Sequence, residues 1–200
     1  MAQSSKLLAT ENKESVAGSS SNLASLLKMA ILSGLAAVLM LTVELPLLPM
    51  APFLTYDFSD IPALIAGFAL GPWYGLGTIC LKNTIFLMLR FSPQQIIGVP
   101  MNTIAGFFLV GVSAYIYNSN KTKKRARLSL VAGAAAMTLF MIPVNIVCYP
   151  LFAWLVAGES KPDLTMFVLT VVAPFNLFKS SLSCIITYFI YKRLSAVLKW

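Results

Sequence analysis

Apolar runs at about residues 24 to 42, 60 to 70, 72 to 90, 95 to 117, 128 to 157 and 164 to 195 fill most of this 200-residue chain. A run of about 20 apolar residues reads as a helix able to cross some 30 Å of hydrocarbon, where the backbone must satisfy its own hydrogen bonds. With 58% hydrophobic and 11% charged residues and a mean hydropathy of +0.80, the chain lacks the charge to build a water-soluble surface. The expected fold is an all-α membrane protein, a compact bundle of six transmembrane helices with an apolar outer loop between the first two. Residues 1–22 are polar and Ser-rich and read as a disordered N-terminal tail, leaving 23–200 as a single membrane domain.

Charge distribution decides between five crossings and six. The run from Ile61 to Leu89 is long for one helix and short for two, and Gly71-Pro72 interrupts it. Six crossings put Lys6, Lys13, Lys28, the KTKKRAR segment (Lys121 to Arg127), Lys192, Arg193 and Lys199 on one side, leaving only Arg90 and Lys161 opposite. Both termini are then cytoplasmic, and Glu44, Asp57, Asp60, Glu159 and Asp163 lie near the outer face. The net charge of +8 therefore reads as a topology signal rather than as a nucleic-acid surface.

Three apolar runs carry the triplet Pro-x-Asn: Pro100-Met-Asn102, Pro143-Val-Asn145 and Pro174-Phe-Asn176. A proline inside a helix strands a carbonyl, and lipid offers no water to satisfy it. Singly, each triplet reads either as a kink with a packing amide or as a pocket element; together they point to a shared cavity. At 1.5 Å per residue, Asn102 falls roughly 10 Å below the outer end of its helix, and Asn145 and Asn176 roughly 18 Å. Lys179 shares a face with Asn176, while Lys82-Asn83 sits some 10 to 12 Å down the third helix. An ammonium at membrane depth costs about 2.5 to 3.5 kcal/mol, so Lys179 is either a ligand contact or a structural cation. Lys82 has those two readings and a third, snorkelling to the interface.

The connection VELPLLPMAPFLTYDF (Val43 to Phe58) holds Pro46, Pro49 and Pro52, which prevent a regular helix, yet it is nearly as apolar as its neighbours. It reads either as a lid over the cavity, packing through Leu47, Leu48, Met50, Phe53 and Tyr56, or as a loop that seals the bundle. Ser59 is placed to cap the second helix, with Asp60 in its first turn; a structural role is expected for Asp57 and Asp60. Small residues recur at packing spacing in Ala30, Gly34 and Ala37 and in Ala63, Gly67, Gly71 and Gly75. Internal packing is the default reading of both stripes, with partner docking the alternative, more for the first than for the second.

There is no histidine, the three cysteines have no metal spacing, and no GxxxxGK[ST] loop occurs. No carboxylate lies deep in a helix, as proton-coupled carriers generally need. An enzyme is not expected, nor a metal or cofactor. A binding membrane protein powered from outside remains.

FLTYDFSDIPALIAGFALGP (Phe53 to Pro72), Lys82-Asn83, Asn102 within GVPMNTIAG, Asn145 and PFNLFKS (Pro174 to Ser180) resemble the riboflavin-binding substrate subunits of energy-coupling factor transporters. The likeness covers nearly everything after residue 25. It implies a plasma-membrane protein of bacteria that binds riboflavin as cargo and works with one transmembrane coupling subunit and two ATPase subunits. It also implies docking through Ala30, Gly34 and Ala37, and reorientation in the membrane. Asn145, Asn176 and Lys179 are implied ligand contacts. Asn102, Lys82, Asn83 and Gly98 are further matched positions, and Phe53, Tyr56 and Phe175 are the aromatic candidates. Riboflavin is neutral, with a flat apolar ring, an edge of donors and acceptors, and a hydroxylated tail, which suits carboxamides and one ammonium. The alternatives are a subunit for another vitamin or flavin analogue, and a stand-alone flavin facilitator.

Overall fold

The computed structural model describes residues 2–49, 51, 54–157 and 164–198, and six helical rods run through them. They are α1 (Ala2–Thr42), α2 (Asp60–Ala69), α3 (Pro72–Leu89), α4 (Pro93–Ser119), α5 (Lys123–Ala157) and α6 (164–198). No proline interrupts the sequence from Ala2 to Thr42, and α1 continues as helical backbone through the segment expected as a separate disordered tail. The prolines of 43–58 end it. Within that connection Leu45–Pro46 (β1) pairs antiparallel with Thr55–Tyr56 (β2), so the apolar loop folds back on itself as a minimal hairpin. The KTKKRAR segment, read as a loop, is helical from Lys123, where Thr122 Oγ1 accepts a hydrogen bond from the Arg125 amide at 3.2 Å.

Four rods are long and apolar enough for a full crossing: Asn22–Thr42, Pro93–Ser119, Lys123–Cys148 and Thr165–Arg193. All six expected helices are present, and α2 and α3 are the two that are shorter or more polar than these four. The ten residues of α2 rise only about 15 Å, half the hydrocarbon thickness. Eight of them are buried, so protein rather than lipid surrounds this helix. Lys82 and Asn83 lower the hydropathy of α3, and both are buried as well.

Close packing turns on glycine. A Cβ at Gly75 would stand 2.8 Å from Gly67 Cα and 2.7 Å from Val110 Cγ1, so α2 and α3 touch through bare backbone beneath α4. Asn118 Nδ2 donates to the Gly67 carbonyl at 2.9 Å and fixes α4 on the same spot. Gly71, with φ of +115°, makes the turn between α2 and α3, a conformation open to glycine. The second small-residue stripe thus serves internal packing. Around it Leu64, Phe68, Ile79, Leu109, Val110 and Met137 form a core with at most 1% exposure.

The first stripe is divided. Ala30 is exposed and a Cβ on Gly34 would meet nothing within 4 Å, whereas Ala37 is 2% exposed. Ala37 is therefore withdrawn from the expected docking face, because α1 already packs that level against the bundle.

One of the expected kinks has visible accommodation. Pro174 cannot donate to the carbonyl of Thr170, and Thr170 lies in a π turn, Val168–Val172, where α6 widens. A second π turn, Phe107–Gly111, lies further along α4, beyond Pro100.

An ion pair holds α2 to α3: Lys82 Nζ lies 2.6 Å from Asp60 Oδ1, with the two side chains 0% and 2% exposed. Removing one partner leaves the other charge buried and alone, at a cost of about 3–5 kcal/mol. Lys82→Met is expected to lower the melting temperature steeply, and Lys82→Met with Asp60→Asn to recover most of that loss. Gly75→Ala is expected to destabilise by about 1–3 kcal/mol through overpacking, and Gly34→Ala to leave stability unchanged. Thermal unfolding in detergent checks all four.

Candidate ligand-binding site

One end of the bundle holds a cavity of about 510 Å³, within the 300–1,000 Å³ range of small-molecule sites. Its walls come from α1, the loop, and α3 to α6. Met40, Phe86, Met101, Met137, Met141 and Phe175 make the apolar side. Asp57, Asn102, Asn145, Asn176 and Lys179 make the polar side, and Glu44, Arg90, Gln94 and Gln95 add further polar groups to the lining.

The three Pro-x-Asn amides do converge here, each in a different bonding state. Asn102 donates Nδ2 to Asn83 Oδ1 and accepts from Lys179 Nζ, both at 3.1 Å. Asn145 donates Nδ2 to the Met141 carbonyl at 2.6 Å, which leaves its oxygen for the cavity. Asn176 lines the cavity, and among the described residues no side-chain hydrogen bond claims its amide.

Lys179 is 5% exposed and pairs with Asp57 Oδ2 at 3.1 Å. Asp57 Oδ1 accepts from the backbone N–H and the hydroxyl of Ser59, and that hydroxyl accepts from Lys82 Nζ at 2.5 Å. One continuous network therefore runs Asp60–Lys82–Ser59–Asp57–Lys179–Asn102–Asn83, ending on Thr103 Oγ1, which receives the Asn83 amide at 2.8 Å. Ser59 stands at the start of α2 but makes no side-chain cap hydrogen bond, since its hydroxyl is engaged in this relay; the capping expectation is corrected accordingly. Asp57 belongs to the loop, outside the membrane spans. Burial by itself raises its pKa, but the Lys179 and Lys82 ammonium groups and the Ser59 hydrogen bonds outweigh that and hold the carboxyl below the usual carboxylate range.

The other expected site residues divide as follows. Gly98 lines the cavity. Lys82 and Asn83 do not: they are 0% and 2% exposed and their polar atoms are used inside the network, one layer behind the wall. Tyr56 is fully buried with its hydroxyl 3.4 Å from Ser183 Oγ, and anchors the loop rather than facing the cavity. Phe53 and Met50 lie outside the described residues, as do Glu159, Lys161 and Asp163. The loop meets the cavity through Leu54, Thr55 and Asp57 instead. The methionine lining went unread in the sequence, although Met137, Met141 and Asn145 at four-residue steps are a legible stripe.

The electrostatics constrain what fits. Four ionised side chains line the cavity: Asp57 offsets Lys179, and Glu44 Oε1 lies 2.8 Å from Arg90 Nη1. With these charges cancelling, the site suits an uncharged guest with a flat or apolar body and several hydrogen-bonding groups. No group of histidine, cysteine or carboxylate side chains suited to a metal occurs among the described residues.

Comparison with known proteins agrees with this architecture. Residues 24–191 match the family model "ECF transporter, substrate-specific component". The riboflavin transporter RibU of Streptococcus thermophilus is 33% identical over 178 residues, covering 86% of this chain and 84% of that one. The riboflavin transporter FmnP of Bacillus subtilis is 30% identical over 173 residues, covering 84% and 90%. A solved structure described as the S component of a bacterial ECF transporter superposes with a TM-score of 0.76 at 27% identity, covering 90% of this chain and 99% of that one. Matched over most of its length in sequence and in fold, this multi-pass membrane chain belongs to the substrate-specific components of ECF transporters, a family of transport subunits and not of enzymes.

Proposed function

We propose that this subunit captures riboflavin at the outer face of the membrane and delivers it inward after docking on an energy-coupling module. The carrying observation is the charge-balanced cavity in which Asn145, Asn176 and Lys179 face apolar walls of methionine and phenylalanine. A neutral isoalloxazine ring matches the apolar side, since thioether and phenyl groups pack favourably on aromatic faces. Its polar edge matches the amides and the ammonium. The relatives' names, riboflavin transporters in both cases, support the same cargo.

The partner is a coupling module of one transmembrane coupling subunit and two ATPase subunits, with α1 as its contact. Ala30 and Gly34 offer a shallow strip on α1 between the exposed side chains of Leu27, Ile31, Leu35 and Val38, which suits close helix–helix approach. The reading of cytoplasmic termini is supported by the exposed cations at one end, Lys121, Lys123, Lys124, Arg125 and Arg127, against Glu44, Asp57 and Asp60 at the other. The cavity then opens outward, at the end where Glu44 and Arg90 meet.

Titration of purified protein with riboflavin, read by quenching of flavin fluorescence, is expected to give one site per chain. Asn176→Ala is expected to cost about 0.5–1.5 kcal/mol of binding and Lys179→Ala about 1.5–3 kcal/mol, or tenfold and more in Kd, with the helical content of both variants intact. Unchanged affinity in both variants refutes the site. In liposomes the subunit alone is expected not to accumulate flavin, and accumulation without ATPase partners supports the facilitator reading instead.

A further inference from the structure

An ammonium group carries three N–H donors. On Lys179 one goes to Asp57 Oδ2 and one to Asn102 Oδ1, each at 3.1 Å, and the side chain lines the cavity. We propose that Asp57 is a positioning residue: with Asn102 it holds the Lys179 ammonium so that the remaining donor meets the bound ligand, and it thereby ties the loop after α1 to ligand contact. The inference rests on the riboflavin reading above and deepens it.

Three features of Asp57 suit it to this role. It is rigid, because its second oxygen is held by both the backbone N–H and the hydroxyl of Ser59, whose own position is set by Lys82. It belongs to the loop: one residue before it, β2 ends at Tyr56, whose hydroxyl reaches Ser183 on α6, the helix that carries Lys179. It is also the only acidic group on Lys179 among the described residues, as Asp60 is taken by Lys82 and Glu44 by Arg90. A lysine side chain has four rotatable carbons and a strongly hydrated head, and without this acceptor its direction is not fixed. The loop lines the cavity with Leu54, Thr55 and Asp57, so the residue that aims the cation is also part of the wall.

The test is a double-mutant cycle in detergent micelles with Asp57→Asn, Lys179→Met and the double variant, read by riboflavin fluorescence quenching beside thermal unfolding without ligand. Asp57→Asn alone is expected to weaken binding about tenfold, the scale of one charge-assisted hydrogen bond. Made on the Lys179→Met background, the same change is expected to move affinity less than twofold, because there is no cation left to aim. Equal losses on both backgrounds overturn the inference and leave Asp57 a structural residue. Where Lys179→Met alone does not fold, the conservative series decides: Asp57→Glu keeps the acceptor charge and is expected to bind within threefold of wild type, against tenfold weakening for Asp57→Asn. Equal weakening by Glu and Asn overturns the proposal. Wild-type protein that ignores riboflavin removes the cargo reading and this inference together, whereas wild-type binding with an unaffected Asp57→Asn removes the inference alone.

Discussion

An isolated charge in an apolar interior is so costly that groups in such places either neutralise or find a partner, and this bundle buries two lysines at once. Lys82 and Lys179 each take one aspartate, and Ser59 joins the two pairs by bonding to Asp57 and receiving from Lys82. Much else follows from that arrangement. The loop after α1 must return far enough to bring Asp57 to α6, and α2 must begin where Asp60 can meet α3. The start of α2, the end of the loop and the wall of the cavity are thus set by one electrostatic requirement.

The same requirement shapes the cavity. Had Lys179 been left unmatched, the site would select an anion; paired, it presents hydrogen-bonding direction without net charge. Neutral cargo then gains from area and shape on the methionine side and from orientation on the amide side. The short, enclosed α2 belongs to this picture. It needs no lipid-length hydrophobic span, because α3, α4 and α6 cover it, and its glycine contact with α3 brings Lys82 close to its partner.

Much of this was legible in the sequence because membrane helices declare themselves through local composition. Each of the six rods contains one of the apolar runs, though α1 begins well before its own, and the three Pro-x-Asn amides line one cavity. The pairings were not legible. Asp57 lies 122 positions from Lys179, and nothing local distinguishes an aspartate that caps a helix from one that receives a lysine from another helix. Ser59 has the composition of a cap and the geometry of a relay. Tyr56 looked like a ligand aromatic, but its alternation within β2 turns it into the bundle toward Ser183. The hairpin itself was invisible, since Leu45 and Pro46 carry no strand signal of their own.

The hydrogen bond from the Asn145 amide to the Met141 carbonyl has a consequence for how cargo is oriented. One of its two N–H groups is spent inside its own helix, so this side chain offers the guest a carbonyl oxygen and a single N–H, whereas the ammonium on α6 offers hydrogens only. The intrahelical bond also fixes which way the amide faces, so the acceptor on α5 keeps its direction as cargo enters. A guest with no lone pair on the ammonium's side leaves those hydrogens unmet, so the vestibule reads orientation by polarity as well as by outline.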